Sequence, residues 1–418
     1  MTTPPRTTTT PAPVLDTACF RRWLTETTRL VRRDSARLTE LDAVIGDGDH
    51  GANLVRGFGA VGTAVTEARP ATPGALLALA GTTLTNTVGG ASGPLFGTAL
   101  RRTGKVLGDR PAPTGIELAG ALDAGLRSVQ KLGGAEVGDA TLVDALAPGV
   151  AALAEATGAG RPLREALDEA CRAAREGAEA TAGLQARKGR ASYLGERSIG
   201  HPDAGAHSVA LLMEALRTAV ETADADIRAE TETETETETE AGPETPAPAE
   251  ARGETQAGPE AATAAVAEAG TGSASGPAAG RSTRTGRVGV VLVSHSAAVA
   301  AAVADLSGAL LGSLEAGPLA VAGGTQDGGT GTSAALILAA VRQVDEGQGV
   351  AVLRDMGSAV LTMKSLLADE QAPLPAGTRI VDAPFLEGAV AVTLTSALGG
   401  DLDAVLSAAE DARHYRKR

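Results

Sequence analysis

Val288-Gly289-Val290-Val291-Leu292-Val293-Ser294-His295-Ser296 is where the pattern of the chain changes. An apolar, β-branched run without polar alternation is what a strand buried on both faces requires. Similar short runs recur at 319–322, 350–353 and 379–381, with helix-period windows at 296–312, 332–346 and 357–370 between them. Strand and helix alternating at this spacing predict an α/β domain with an open parallel sheet over 287–418.

Upstream of this run the chain reads differently. Residues 222–286 hold 13 acidic residues against 4 Arg, which is −9 of the net −14 carried by all 418 residues. The segment has one Ile, one Val and no aromatic residue. It cannot bury enough apolar surface to offset its ordering entropy, and reads as a disordered acidic linker that keeps the flanking halves apart. Before it, Phe20, Leu24, Leu30, Val31, Leu38 and Leu41 recur at helical spacing. Further helical windows at about 50–67, 73–87, 91–106, 114–131, 139–156, 161–182 and 205–222 make eight helices and no strand over 14–221. Residues 1–13 are Thr- and Pro-rich, read as a disordered tail, and lack the apolar core of a secretory signal.

Composition excludes several classes. An acidic chain with only 2% aromatic residues lacks the charge and the stacking platforms of a nucleic-acid binder. No apolar run is long enough to span a bilayer, so no membrane partner is expected. Cys19 and Cys171 form neither a disulfide framework nor a ligand spacing, and the cytoplasm is the expected compartment.

The densest polar cluster is Leu41-Asp42-Ala43-Val44-Ile45-Gly46-Asp47-Gly48-Asp49-His50-Gly51-Ala52-Asn53, between two helical windows. Its glycines let the backbone turn tightly enough to direct Asp42, Asp47 and Asp49 inward. Three clustered carboxylates repel one another unless hard cations sit among them, and Mg²⁺ prefers one or two carboxylates together with phosphate oxygens. An Asx-rich interhelical turn is the plainer alternative. Gly57-Phe58-Gly59-Ala60-Val61-Gly62 matches G-x-G-x-x-G but follows no strand, so it is no dinucleotide fingerprint. Val88-Gly89-Gly90-Ala91-Ser92-Gly93-Pro94 offers N–H groups and a hydroxyl at a helix start, as a phosphate cradle would. Residues 187–203 form a basic loop that is either solvated or closed over an anion.

In the second half, His295 follows the first strand directly, at the edge where open parallel sheets place reactive groups. A lone histidine is as readily structural, but an imidazole there could accept and pass on a phosphoryl group. Gly323-Gly324-Thr325-Gln326-Asp327-Gly328-Gly329-Thr330-Gly331-Thr332-Ser333 is a candidate phosphate-receiving loop, and Asp355, ending the third strand, could orient the imidazole.

The segments IGDGDHGAN, VGGASGPLFGT and RKGRASYLGERSIGH closely resemble the nucleotide-binding L subunit of bacterial dihydroxyacetone kinase, DhaL, over about residues 14–221. The resemblance implies a barrel of eight antiparallel helices. It implies that Asp42, Asp47 and Asp49 hold two Mg²⁺ ions bridging the phosphates of ADP, which is kept bound as a coenzyme and cycles to ATP. His50, Asn53 and Ser92 would contact phosphates, Ala91 is a further nucleotide-binding position, and Thr141, Leu142, Arg190 and Asp203 would contact the rest of the nucleotide. Ala140 and Ala204 depart from the family pattern, which has Lys and Pro at these places. VVLVSHS, GGTxDGGTGTS and DMGSA resemble the M subunit of the same system, DhaM, and the mannose-type IIA domains of the phosphotransferase system. That resemblance implies that His295 is phosphorylated by the phosphocarrier HPr, that the M half pairs as a homodimer, and that the ATP formed phosphorylates dihydroxyacetone on a separate K subunit. No segment resembles the HPr-like and enzyme-I-like regions carried by some family members. A phosphorylation-dependent regulator of a transcription factor, or a kinase component for another small carbonyl substrate, are the competing readings.

Overall fold

Asp16, Thr72 and Thr114 each stand one residue before a helix, and each side chain accepts a backbone N–H of the first turn. Such caps satisfy donors that the helix itself leaves open. At Thr114 the cap is reciprocal, because the Glu117 carboxylate accepts the Thr114 backbone N–H in return. The structure, a computed structural model, describes residues 14–240, 286–369 and 373–414, with the backbone alone for 224–240. Residues 1–13 and 241–285 lie outside the described residues, and so does most of the segment read as an acidic linker.

The first half contains α1 (Thr17–Ile45), α2 (His50–Ala68), α3 (Pro73–Thr87), α4 (Ser92–Leu107), α5 (Gly115–Gly133), α6 (Val143–Gly158), α7 (Leu163–Ala180) and α8 (Ala204–Glu240). A 3₁₀ segment, Arg190–Ser198, precedes α8. Leu30, Leu54, Leu84, Leu118, Leu153 and Leu216 meet in one apolar core. The indole N–H of Trp23 donates to the Leu212 carbonyl at 2.8 Å and ties α1 to α8. The eight helices match the sequence windows to within a few residues, except at the end of α8. That helix runs past the expected boundary at 222 into the Thr–Glu repeat. Alternating Glu and Thr contains no helix breaker, and the first Gly-Pro pair comes only at Gly242-Pro243.

The second half contains β1 (Gly289–Ser294), α9 (Ala297–Leu310), β2 (Leu319–Gly323), α10 (Ala334–Val344), β3 (Val350–Arg354), α11 (Gly357–Leu367), β4 (Thr378–Val381), α12 (Phe385–Ala397) and α13 (Leu402–His414). The strands are all parallel, in the order β2-β1-β3-β4. Every residue of β1 is buried. Val291 and Val293 face one core, while Val290 and Leu292 face the other. This two-sided burial is why the opening run carries no polar alternation. The helices α12 and α13 after β4 were not among the sequence windows. The chain leaves β1 for β2 on one side and returns to β3 on the other, so the carboxyl end of β1 is the switch point of the sheet. The described residues up to Ile227 and from Gly286 onward form one compact unit. The helical and sheet halves therefore meet, where the acidic linker had suggested separation. No helix among the described residues is long and apolar enough to cross a membrane.

Candidate functional site

The turn between α1 and α2 is made by Gly46-Asp47-Gly48-Asp49, with Gly48 at a left-handed φ of 69°. Asp42, in the last turn of α1, directs Oδ2 at the backbone N–H groups of Asp49 and His50, at 3.0 and 3.3 Å. One carboxylate thus fixes the start of α2, and the other two project from the turn. Ligand atoms of Asp47, Asp49 and His295 all lie within 4.8 Å of one another. Asp42 stands beside this group, with one oxygen already engaged by the backbone.

Burial acts to raise the Asp47 carboxyl, but the neighbouring His295 and the charge of Arg190 hold it below the usual carboxylate range. Asp49 is pushed above its ordinary value, by burial first and by the Asp47 charge second. Its Oδ2 is buried with no hydrogen-bond partner. An orphaned carboxylate oxygen next to a second carboxylate is a donor set that fits a hard divalent cation such as Mg²⁺.

His295 sits at the carboxyl end of β1, its side chain 13% exposed. Arg190 Nη2 lies 2.7 Å from His295 Nε2, and the same guanidinium pairs with Asp47. Arginine only donates, so Nε2 is the acceptor and the unprotonated ring nitrogen. The proton then sits on Nδ1, which faces the Ser358 hydroxyl at 3.5 Å. Ser358 in turn meets Thr332 at 3.3 Å. The sequence reading gave Ser358 no role. Its signals were its place in the DMGSA motif and in the first turn of a helix after the third strand. Asp355 does not reach the ring, contrary to expectation. Its Oδ2 accepts the His295 backbone N–H at 2.9 Å and the Ser294 hydroxyl at 2.7 Å. The tight turn after β1 presents donors closer to the carboxylate than the ring is, so Asp355 holds the backbone that carries the imidazole.

His50 is buried, with Nδ1 3.0 Å from Ser92 Oγ and Nε2 2.8 Å from Ser208 Oγ. Ser208 donates onward to the Ala204 carbonyl. Its lone pair is therefore open to His50 Nε2–H, which leaves Nδ1 to accept from Ser92. Burial lowers the imidazole to about 4, so it is neutral near pH 7. Asn53 is buried and takes a 2.6 Å hydrogen bond from Arg56 on Oδ1, while its amide supports Asp49.

Ala91 and Ser92 open α4 after Gly90, whose φ is 71°. Thr141 and Leu142 lie in the turn before α6, which the buried Asp144 braces through the N–H groups of Gly138 and Thr141. Ala140 holds a left-handed φ of 54° there. Asp203 precedes α8, accepts the Ala206 N–H at 2.7 Å, and is pushed up to about 7, chiefly by burial. One cavity of about 520 Å³ is lined by Asp42, Asp47, Asp49, His50, Ala91, Ser92, Thr141, Leu142, Arg190 and Asp203. Asn53, His295 and Asp355 are not on its wall. Residues 356–358, 360, 361 and 364 of the sheet half close another side. The G-x-G-x-x-G match lies inside α2, and a Cβ at Gly57 would collide with Val88, so close packing is what keeps that glycine.

Comparison with known proteins places both halves. Residues 44–218 match the DAK2 domain and residues 289–406 the PTS system fructose IIA component. The PEP-dependent dihydroxyacetone kinase ADP-binding subunit DhaL of Escherichia coli (strain K12) is 42% identical over 199 residues, 48% of this chain and 95% of that protein. The L-erythrulose kinase of Pectobacterium atrosepticum is 38% identical over 206 residues, 49% of this chain but 35% of that protein. A crystal structure of the dihydroxyacetone kinase from C. freundii in complex with AMP-PNP and Mg²⁺ aligns at 25% identity and a TM-score of 0.38, over 52% of this chain and 37% of that one. A carboxylate turn on the wall of one cavity and a strand-end histidine 3.6 Å from its Asp47 thus sit on two recognised domains, and the chain belongs to the DhaL family of dihydroxyacetone kinase ADP-binding subunits, with a phosphotransferase-system IIA component joined behind it.

Proposed function

We propose that this chain is the L and M component of a PEP-dependent dihydroxyacetone kinase, and that it moves a phosphoryl group from His295 to ADP held in the helical half. The carrying observation is that His295 Nε2 lies 2.7 Å from Arg190 and 3.6 Å from Asp47, at the mouth of the carboxylate turn. His295 takes the phosphoryl group on Nε2, the unprotonated nitrogen, as the bond from phosphorus to the carrier HPr breaks and its electron pair stays with the carrier. The Nδ1–H, held by Ser358, keeps the ring oriented and shares the positive charge that forms there. In the second transfer the Nε2–P bond breaks and a bond forms to a β-phosphate oxygen of ADP. The electron pair returns to Nε2.

Arg190 reaches both Nε2 and Asp47, so its charge sits where negative charge collects during transfer. Asp47 and Asp49, with Asp42 beside them, are the residues that would hold Mg²⁺, two ions by family resemblance. When bound, Mg²⁺ offsets the charge of the phosphates. The neutral His50 fixes the Ser92 hydroxyl at the start of α4, where backbone N–H groups can receive phosphate oxygens. Thr141, Leu142 and Asp203 line the part of the cavity left for the nucleoside. The eight helices are taken to close as the antiparallel barrel of the family. The ATP formed serves a separate K subunit, where the keto substrate binds, and the sheet half pairs as a homodimer. Asp355 acts as a positioning residue.

The test supplies PEP, enzyme I, HPr and a K subunit and measures dihydroxyacetone phosphate. His295→Ala is expected to abolish phosphate acceptance from HPr and product formation, while the chain still binds ADP with Mg²⁺. Product formation by His295→Ala at the unaltered rate defeats the proposal.

A further inference from the structure

Resting on the nucleotide reading above, we propose that α11 of the sheet half is itself a wall of the nucleotide pocket, with Leu361 and Lys364 contacting the nucleoside end of bound ADP. Helix α11 begins beside the phosphoryl-transfer atoms, because Ser358 in its first turn faces His295 Nδ1. Lys364 lies six residues further on, about 9 Å along the axis at 1.5 Å per residue. That length takes the helix from the phosphates toward the ribose and base. Val360, Leu361 and Lys364 line the same cavity as Leu95 and Phe96 of α4, the apolar wall that suits a base.

The far end of α11 is pinned to the helical half. Arg101 of α4 donates to Asp369 just beyond α11 at 2.8 Å and to Ser365 at 3.1 Å. The Arg101 and Asp369 side chains are only 18% and 13% exposed, so this ion pair is shielded from screening solvent. Helix α11 is thus anchored to the helical half at its far end, while its start packs beside His295. Lys364 makes no ion pair among the described residues and is the one cation the sheet half places on the wall. Arg187, Lys188 and Arg190 of the helical half line the same cavity. The nucleotide is therefore gripped by both halves, and its retention depends on their docking.

The test is calorimetric titration of the full chain with ADP in excess Mg²⁺. Lys364→Glu is expected to weaken ADP binding about ten-fold or more, since a charge-assisted contact becomes a repulsive one, and Lys364→Arg to stay close to the unaltered chain. Arg101→Glu, which breaks the pin without touching the cavity wall, is expected to weaken ADP by about five-fold or more. The exchange Arg101→Glu with Asp369→Arg should recover most of that loss. Thermal melts confirm that each variant is folded. ADP affinity within two-fold of the unaltered chain in Lys364→Glu, or an Arg101→Glu loss that the exchange does not recover, overturns the proposal. Failure of the unaltered chain to bind ADP is a separate result, and would remove the nucleotide reading itself.

Discussion

Asp203 joins the site to stability. Its carboxyl is pushed up to about 7, by burial first and by the nearby charges of Asp144 and Asp42 as well. The folded chain therefore holds a proton there that the unfolded chain has released, and its stability falls as pH rises between about 4 and 7. Below that window both states are protonated, and above it both are ionised, so the slope vanishes on either side. Asp203→Asn keeps an oxygen for the Ala206 N–H and removes the titration. Without nucleotide or metal, it should melt a few degrees higher than the parent at pH 8, and the gap should close toward pH 4. A constant gap across that range would show that Asp203 ionises as an ordinary carboxylate. The contrast with Asp355 explains how far single residues were legible. Both are acids at the ends of elements, and sequence identifies them as candidates. Whether such a carboxylate meets a ring or a backbone N–H depends on ångström-scale turn geometry, which no spacing rule encodes.

Element by element, the glycines separate two uses of one residue type. Gly97 on α4 faces α3, and an added Cβ would lie 2.6 Å from the Gly81 carbonyl oxygen and closer still to Thr85 Oγ1. Gly62 on α2 has nothing within 4 Å of its Cβ position. Alanine is favoured over glycine inside a helix by about 1 kcal/mol, whereas overpacking a close contact costs about 1–3 kcal/mol. In urea unfolding of the helical transition, Gly62→Ala is expected to stabilise by about 0.5–1 kcal/mol, and Gly97→Ala to destabilise by about 1 kcal/mol or more. Equal shifts of the same sign would mean that the α3–α4 approach is not what selects Gly97. The ends of elements were less legible than their existence. The windows over α1 to α7 came within a few residues, but α8 ran on to Glu240, because the Thr–Glu repeat lacks an apolar face without lacking helix formers.

For the whole molecule, the consequence lies in how His295 and the carboxylate turn find each other. They come from segments more than 200 residues apart, and the covalent connection between the halves runs through 241–285. A connected pair reacts as a unimolecular system at a fixed effective concentration. A single engineered protease site within 241–285 should therefore change the kinetics in a defined way. In the intact chain, the rate of phosphate loss from His295 to ADP is expected to be independent of protein concentration. In the cut chain it should fall with dilution once the halves separate. A rate that stays flat on dilution after cutting would show that the docked contacts alone, Arg101–Asp369 and Arg56–Asp327 among them, hold the halves together.

By itself the sequence determined the local matters. Helical and strand periods, the two-sided burial of β1, the carboxylate turn and the strand-end histidine are all set by residues near one another in the chain. The tertiary structure alone decided that Asp47, Asp49 and His295 share one site, that Arg190 bridges them, and that α11 closes the cavity. The reason is physical. Periodicity records which face of an element is apolar, but the pairing of two finished surfaces depends on shape and on a few charges such as Arg101 and Asp369, whose partners are hundreds of residues away.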